Sequence, residues 1–132
     1  MATAQLEPVD VEELLRLDLT TEACPVCAPP VPDDLGSTLP LAMVERDGGT
    51  RMNLVVDAHN VTVSVWAATW AEAMAAANAL AGAIARLPMT GGTTTQWRTA
   101  DITGLPSNAP DPAHPTIPRV QLTAQVTCRA TI

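Results

Sequence analysis

Few residues in this sequence could do chemistry. Cys24 and Cys27 form a lone Cys-x-x-Cys, Cys128 stands far from them, and the histidines are His59 and His114. Two thiols at this spacing can cycle between dithiol and disulfide or supply half of a zinc site, and structural zinc takes four ligands, usually as two spaced pairs. Neither histidine is spaced to complete a second pair, and Cys27 runs into Ala28-Pro29-Pro30-Val31-Pro32, where a thioredoxin-like motif needs a helix to open. The expectation is a pair of small reduced residues in a surface loop, with a small redox or metal protein on Cys24 and Cys27 as the alternative. Asp57 and His59 would share one face of a strand, but His59-Asn60 reads as a turn, which predicts a solvated pair rather than an acid–base couple. His114, beside Pro115 in a loop, is expected to be solvated as well. Gly48-Gly49 and Gly91-Gly92 lack the Lys and the helix opening of a phosphate-cradling loop and read as turns. Asp33-Asp34 and Glu12-Glu13 lack the further spaced oxygens that calcium needs. No nucleophile beside a base and no ligand set assembles, so the sequence predicts no catalytic residue, no metal, no cofactor and no enzyme.

Composition narrows the partners. The 132 residues carry a net charge of −7, with seven Arg and no Lys. A grip on nucleic acid needs clustered cations to displace phosphate counterions, and there is no cluster. Phe and Tyr are absent and only Trp66, Trp70 and Trp97 could stack on bases. The length suits one domain, residues 1–132, with a core of its own. The amino terminus lacks the charged and apolar regions of a secretory signal, and the apolar stretch over residues 61–87 is broken by Ser64, Glu72, Asn78 and Arg86, so no membrane span is expected and the chain is expected to be made in the cytoplasm.

The elements that must position these residues follow from periodicity. Asp10 is placed to cap a short helix over residues 11–17, with Val11, Leu14 and Leu15 as its apolar stripe. Residues 20–38 hold Pro25, Pro29, Pro30 and Pro32 and read as a linker. Residues 39–46 and 51–58 read as strands around Asp47-Gly48-Gly49-Thr50, a strong hairpin signal, and residues 61–66 alternate as a third strand. Thr69-Trp70-Ala71-Glu72 is a capping box opening a long helix that Pro88 is expected to stop. Its apolar stripe is Trp70, Met74, Ala77, Leu80, Ala81, Ile84 and Leu87. Residues 93–103 read as a fourth strand, 104–118 as a Pro-rich loop, and 119–132 as a long final strand with Val120, Leu122, Ala124, Val126 and Cys128 on its core face. The expected fold is α+β, a mainly antiparallel sheet of about five strands with one short and one long helix packed on one face.

Three features exceed what one core demands. The back of the long helix is smooth, with Ala71, Ala75, Ala79, Gly82 and Ala83, a pattern that genome bias toward Ala would also produce. The final strand outruns an average one and presents Arg119, Gln121, Thr123 and Gln125 on its polar side. The loop before it carries Ser107, Asp111 and His114. Apart from Ala83, these residues are the interface candidates for contacts with further subunits.

The order of elements, with Leu39-Pro40 opening a strand, Val61-Thr62-Val63-Ser64-Val65-Trp66-Ala67 leading into Thr69-Trp70-Ala71-Glu72-Ala73, and Pro118-Arg119 opening a final strand that ends Cys128-Arg129-Ala130, resembles the tail terminator proteins of long-tailed bacteriophages. The likeness spans most of the chain from Leu39 onward, and the Ala- and Pro-rich, Lys-free composition fits an actinobacterial host. The 20–38 segment departs from the family pattern. The resemblance implies a virion protein of the tail and neck: a ring, commonly a hexamer, that caps the tail tube, stops its polymerisation and joins the head-tail connector. Its implied partners are copies of itself, the major tail tube protein and the connector or adaptor, with genomic DNA passing through the bore without specific binding. Another neck component, a head-completion or head-tail adaptor protein, is the alternative within the same assembly.

Overall fold

A computed structural model of the protein describes residues 6–19, 24–90 and 97–131. Helix α1 (Val11–Asp18) begins where the Asp10 carboxylate accepts the Glu13 N–H at 3.3 Å, satisfying one of the donors a helix start leaves open. After β1 (Val26–Cys27) and a 3₁₀ turn at Leu35–Ser37 come β2 (Leu41–Arg51), β3 (Val56–Trp66), α2 (Trp70–Thr90), β4 (Thr99–Asn108) and β5 (Arg119–Arg129). The strands form one sheet in the order β1-β2-β3-β5-β4. The β2–β3, β3–β5 and β4–β5 pairs are antiparallel and the short β1–β2 pair is parallel, so the fold is α+β with a mixed, mainly antiparallel sheet.

Strand alternation decides which side is roofed. Val61, Val63 and Val65 of β3 and Val120, Leu122, Ala124, Val126 and Cys128 of β5 all point into one core. There they meet Val11 and Leu15 of α1 and Ala73, Ala77, Leu80, Ile84 and Leu87 of α2. Both helices therefore cover the same face. A smaller apolar cluster of Leu35, Leu41 and Trp66, with Val31, Leu39 and Ile117 against it, covers one end of the other face.

Several expectations are corrected. The hairpin does not turn at Asp47-Gly48-Gly49-Thr50. There the ladder steps from Arg46↔Val61 to Gly49↔His59, a bulge, and β2 continues to Arg51. Gly48 and Gly49 take φ values of +98° and +149°, and a Cβ on Gly49 would strike the Ala58 carbonyl. The chain reverses instead at residues 52–55, where the Asn53 side-chain oxygen accepts the N–H groups of Val55 and Val56 at 2.9 and 3.0 Å. His59-Asn60 is consequently mid-strand, and the two strands expected over 51–58 and 61–66 are merged or reassigned.

Helix α2 runs through Pro88 to Thr90, with buried Leu87 seating its last turn. Trp70 is 42% exposed rather than core, and Ala83 is buried rather than part of the smooth back. The Thr69 hydroxyl accepts the Glu72 N–H at 3.1 Å, as a cap should. The 20–38 linker contains β1 and the 3₁₀ turn, because pairing with β2 and burial of Leu35 give this Pro-rich stretch local anchors. The 104–118 loop is shorter than expected: β4 extends to Asn108, bending at irregularities around Gly104. The beginning of the linker, the Gly91-Gly92 turn, the start of the expected 93–103 strand and Ile132 lie outside the described residues. Among the described residues no helix is long and apolar enough to cross a membrane.

Candidate functional site

The thiols are placed by the sheet edge. Cys24 is buried in the core beneath the helices, whereas Cys27, one step past Val26, packs with the cluster on the opposite face. The two sulfurs therefore look to different sides of the sheet, a correction to the expected surface loop. Burial pushes the Cys24 thiol up to about 11 and raises Cys27 as well, the reverse of an activated thiolate. All three cysteines are free, and among the described residues no group of three His, Cys, Asp or Glu could hold a metal ion.

The interface candidates fall into three places. Ala71, Ala75 and Ala79 are exposed on the outer side of α2, with Gly82 half-buried beside Arg86. Gln121, Thr123 and Gln125 lie on the opposite, helix-free face of the sheet. Gln121 donates to the Ser64 hydroxyl at 2.9 Å, Gln125 to the Asn60 side-chain oxygen at 3.1 Å, and Thr103 to Thr123 at 3.0 Å. Thr62 donates to the Asp47 carboxylate, and Ser107, opposite Gln121 in register, extends the row to β4. This face carries polar cross-strand pairs over four strands, exposed at Thr103, Thr123 and Asn60, with Glu45, Asp47 and Asp101 along it.

Asp111, His114 and Arg119 are joined to each other rather than displayed separately. The Asp111 carboxylate is buried and accepts the Trp66 indole N–H at 3.1 Å and the Ala113 N–H at 3.0 Å, with His114 Nδ1 at 2.9 Å. Burial opposes its charge, but His114, Ala113, Trp66 and Arg119 together hold the carboxyl below its usual range. Arg119 in turn donates to the carbonyls of Ala109 and Pro110 at 2.6 and 3.2 Å. This set ties the loop over 109–118 down onto Trp66, and it corrects the expectation of a solvated His114.

A fourth region was not legible as a site. Arg51 forks onto Asp57, with Nε and Nη2 at 2.5 and 3.0 Å from the two carboxylate oxygens, and holds that carboxyl below its usual range. His59 is buried on the same face, two residues along β3. The expected solvated turn hid both: only the bulge keeps β3 extended through His59. The one available signal was the i, i+2 spacing of Asp57 and His59.

The fold and this geometry define a small α+β domain with a helix-roofed core and a bare polar sheet face. No family model matches the sequence, and a search of curated proteins finds no match.

Proposed function

We propose that this protein is a structural virion subunit of the tail-terminator kind, closing on copies of itself into a ring that caps the tail tube and meets the head-tail connector. The observation that carries this reading is the uncovered polar face of the sheet. A face built from Asn60, Thr62, Gln121, Thr123 and Gln125, with acids Glu45, Asp47 and Asp101 on it, suits the wall of a wet bore: it needs no apolar cover, and its charges repel a passing polyanion. The sheet also keeps an open edge at β4, and β1 pairs with β2 only at Ala42 and Met43, leaving the rest of that edge without a strand neighbour among the described residues. Open edges are ready templates for strand pairing, and a head-to-tail contact between two different edges generates a ring when the rotation closes. The smooth outer side of α2 at Ala71, Ala75 and Ala79 is available for contacts with tube or connector. No residue has a catalytic role in this reading.

Native mass spectrometry of the purified protein, with electron microscopy of tagged particles, tests it. A closed ring in solution and label at the junction of tail and neck are expected. A protein that stays monomeric at every concentration and never enters the particle overturns it, and label on the connector side alone favours a head-completion or adaptor role.

A further inference from the structure

At the base of the β2–β3 hairpin, under the segment that leads into α1, lies a cavity of about 470 Å³ lined by Pro8, Arg46, Gly49, Arg51, Asp57 and His59 among others. That volume falls within the range of about 300–1,000 Å³ usual for small-molecule sites. Among its lining residues two guanidiniums, Arg46 and Arg51, face one carboxylate, Asp57. Arg51 spends its fork on Asp57 and its remaining terminal nitrogen on the Leu6 carbonyl at 3.0 Å. Arg46 makes one side-chain bond among the described residues, to the Val9 carbonyl at 3.2 Å, and a guanidinium has five N–H donors. The Glu12 carboxylate, outside the lining, accepts the backbone N–H of Arg46 at 2.9 Å. His59 is 3% exposed, and its Nε2 is buried with no hydrogen-bond partner among the described residues. Buried polar atoms are nearly always paired, and this unpaired nitrogen belongs to a residue that lines the cavity. Gly49 leaves bare backbone on the wall, since any side chain there would meet the Ala58 carbonyl.

We propose that this cavity binds a small molecule through an oxyanion, phosphate or carboxylate, held between the Arg46 guanidinium and the His59 Nε2. The neighbouring Arg51–Asp57 pair fixes the strand geometry that presents them, and the rest of the cavity accommodates the body of the ligand. This site stands independently of the ring assembly.

The test is an NMR titration of the whole protein, labelled with ¹⁵N at histidine, using inorganic phosphate and, separately, acetate. A saturable shift of the His59 Nε2 resonance is expected, with binding at least about tenfold weaker in Arg46→Gln and partly kept in Arg46→Lys. A shift with phosphate alone marks a phosphoryl ligand, and an equal shift with acetate marks a carboxylate. A His59 resonance unmoved by either anion overturns the proposal, as does unchanged affinity in a folded Arg46→Gln protein. Should that variant fail to fold by circular dichroism, the wild-type His59 resonance decides the matter alone.

Discussion

The two faces of one sheet are held together by different forces. On the roofed face Val61, Val63 and Val65 pack beneath the helices, and on the other face of the same strand Asn60 and Ser64 bond to β5 while Thr62 bonds to Asp47 of β2. Burying a Val or Leu side chain stabilises a fold by about 1.5–3 kcal/mol, whereas a polar cross-strand pair contributes roughly 0.2–1 kcal/mol. Stability is therefore concentrated under α1 and α2. The boundary between the two regimes is Trp66, whose ring is covered by Leu35 and Leu41 while its N–H reaches Asp111.

The sharpest way to break this comparison is to cut into each face. Leu80→Ala under the roof should cost about 2–5 kcal/mol by urea unfolding, and Thr123→Ala on the bare face should stay within about 0.5 kcal/mol. Equal costs would mean that the bare face is structural. At the boundary, Trp66→Phe deprives Asp111 of a donor and leaves a gap where the larger indole was buried, with an expected loss of about 2–4 kcal/mol by the same measurement.

Acid should act on the charged groups at both ends of the sheet. Asp57 and Asp111 are held below the usual carboxylate range, so their contribution is complete above about pH 5 and is lost as pH falls through the folded-state values. His59 is held below its usual value by burial first and by Arg46 second, so the native state binds fewer protons and stability begins to fall already below about pH 6.5. Unfolding across a pH series should show both slopes. His59→Gln should remove the upper one and Asp111→Asn should make the lower one shallower. The smallest stability effect is expected from Thr123→Arg with Gln125→Arg, within about 0.5 kcal/mol in total. If the bare face lines a bore, the same double variant should retain DNA after nuclease and salt washing of assembled particles, and an unchanged DNA content would detach that face from the bore.

Legibility in the sequence followed the strength of local signals. Asp10 before α1, Thr69 before α2 and the alternation of residues 119–129 each act within a few residues, and each element formed where its pattern pointed. The Asp47-Gly48 dipeptide was as strong a signal and misled, because the turn chemistry it offers serves equally well for a bulge when the flanking strands go on pairing. Asn53, which closes the true turn, is a weaker mark set among apolar neighbours. The cavity was hidden for the same reason: Arg46, Arg51, Asp57 and His59 meet only once the register past the bulge is known.

The sequence by itself determined the class of fold, two helices and a mainly antiparallel sheet, because periods of 3.6 and 2 are properties of the chain alone. It also determined which side of β5 is apolar. Tertiary structure alone decided that Cys24 and Cys27 look to opposite faces, that Asp111 binds Trp66 across 45 residues, and that His59 lines a cavity with its Nε2 unpaired among the described residues. Each of these depends on strand register and on burial, which arise from contacts between distant segments and leave no periodic trace in the segments themselves.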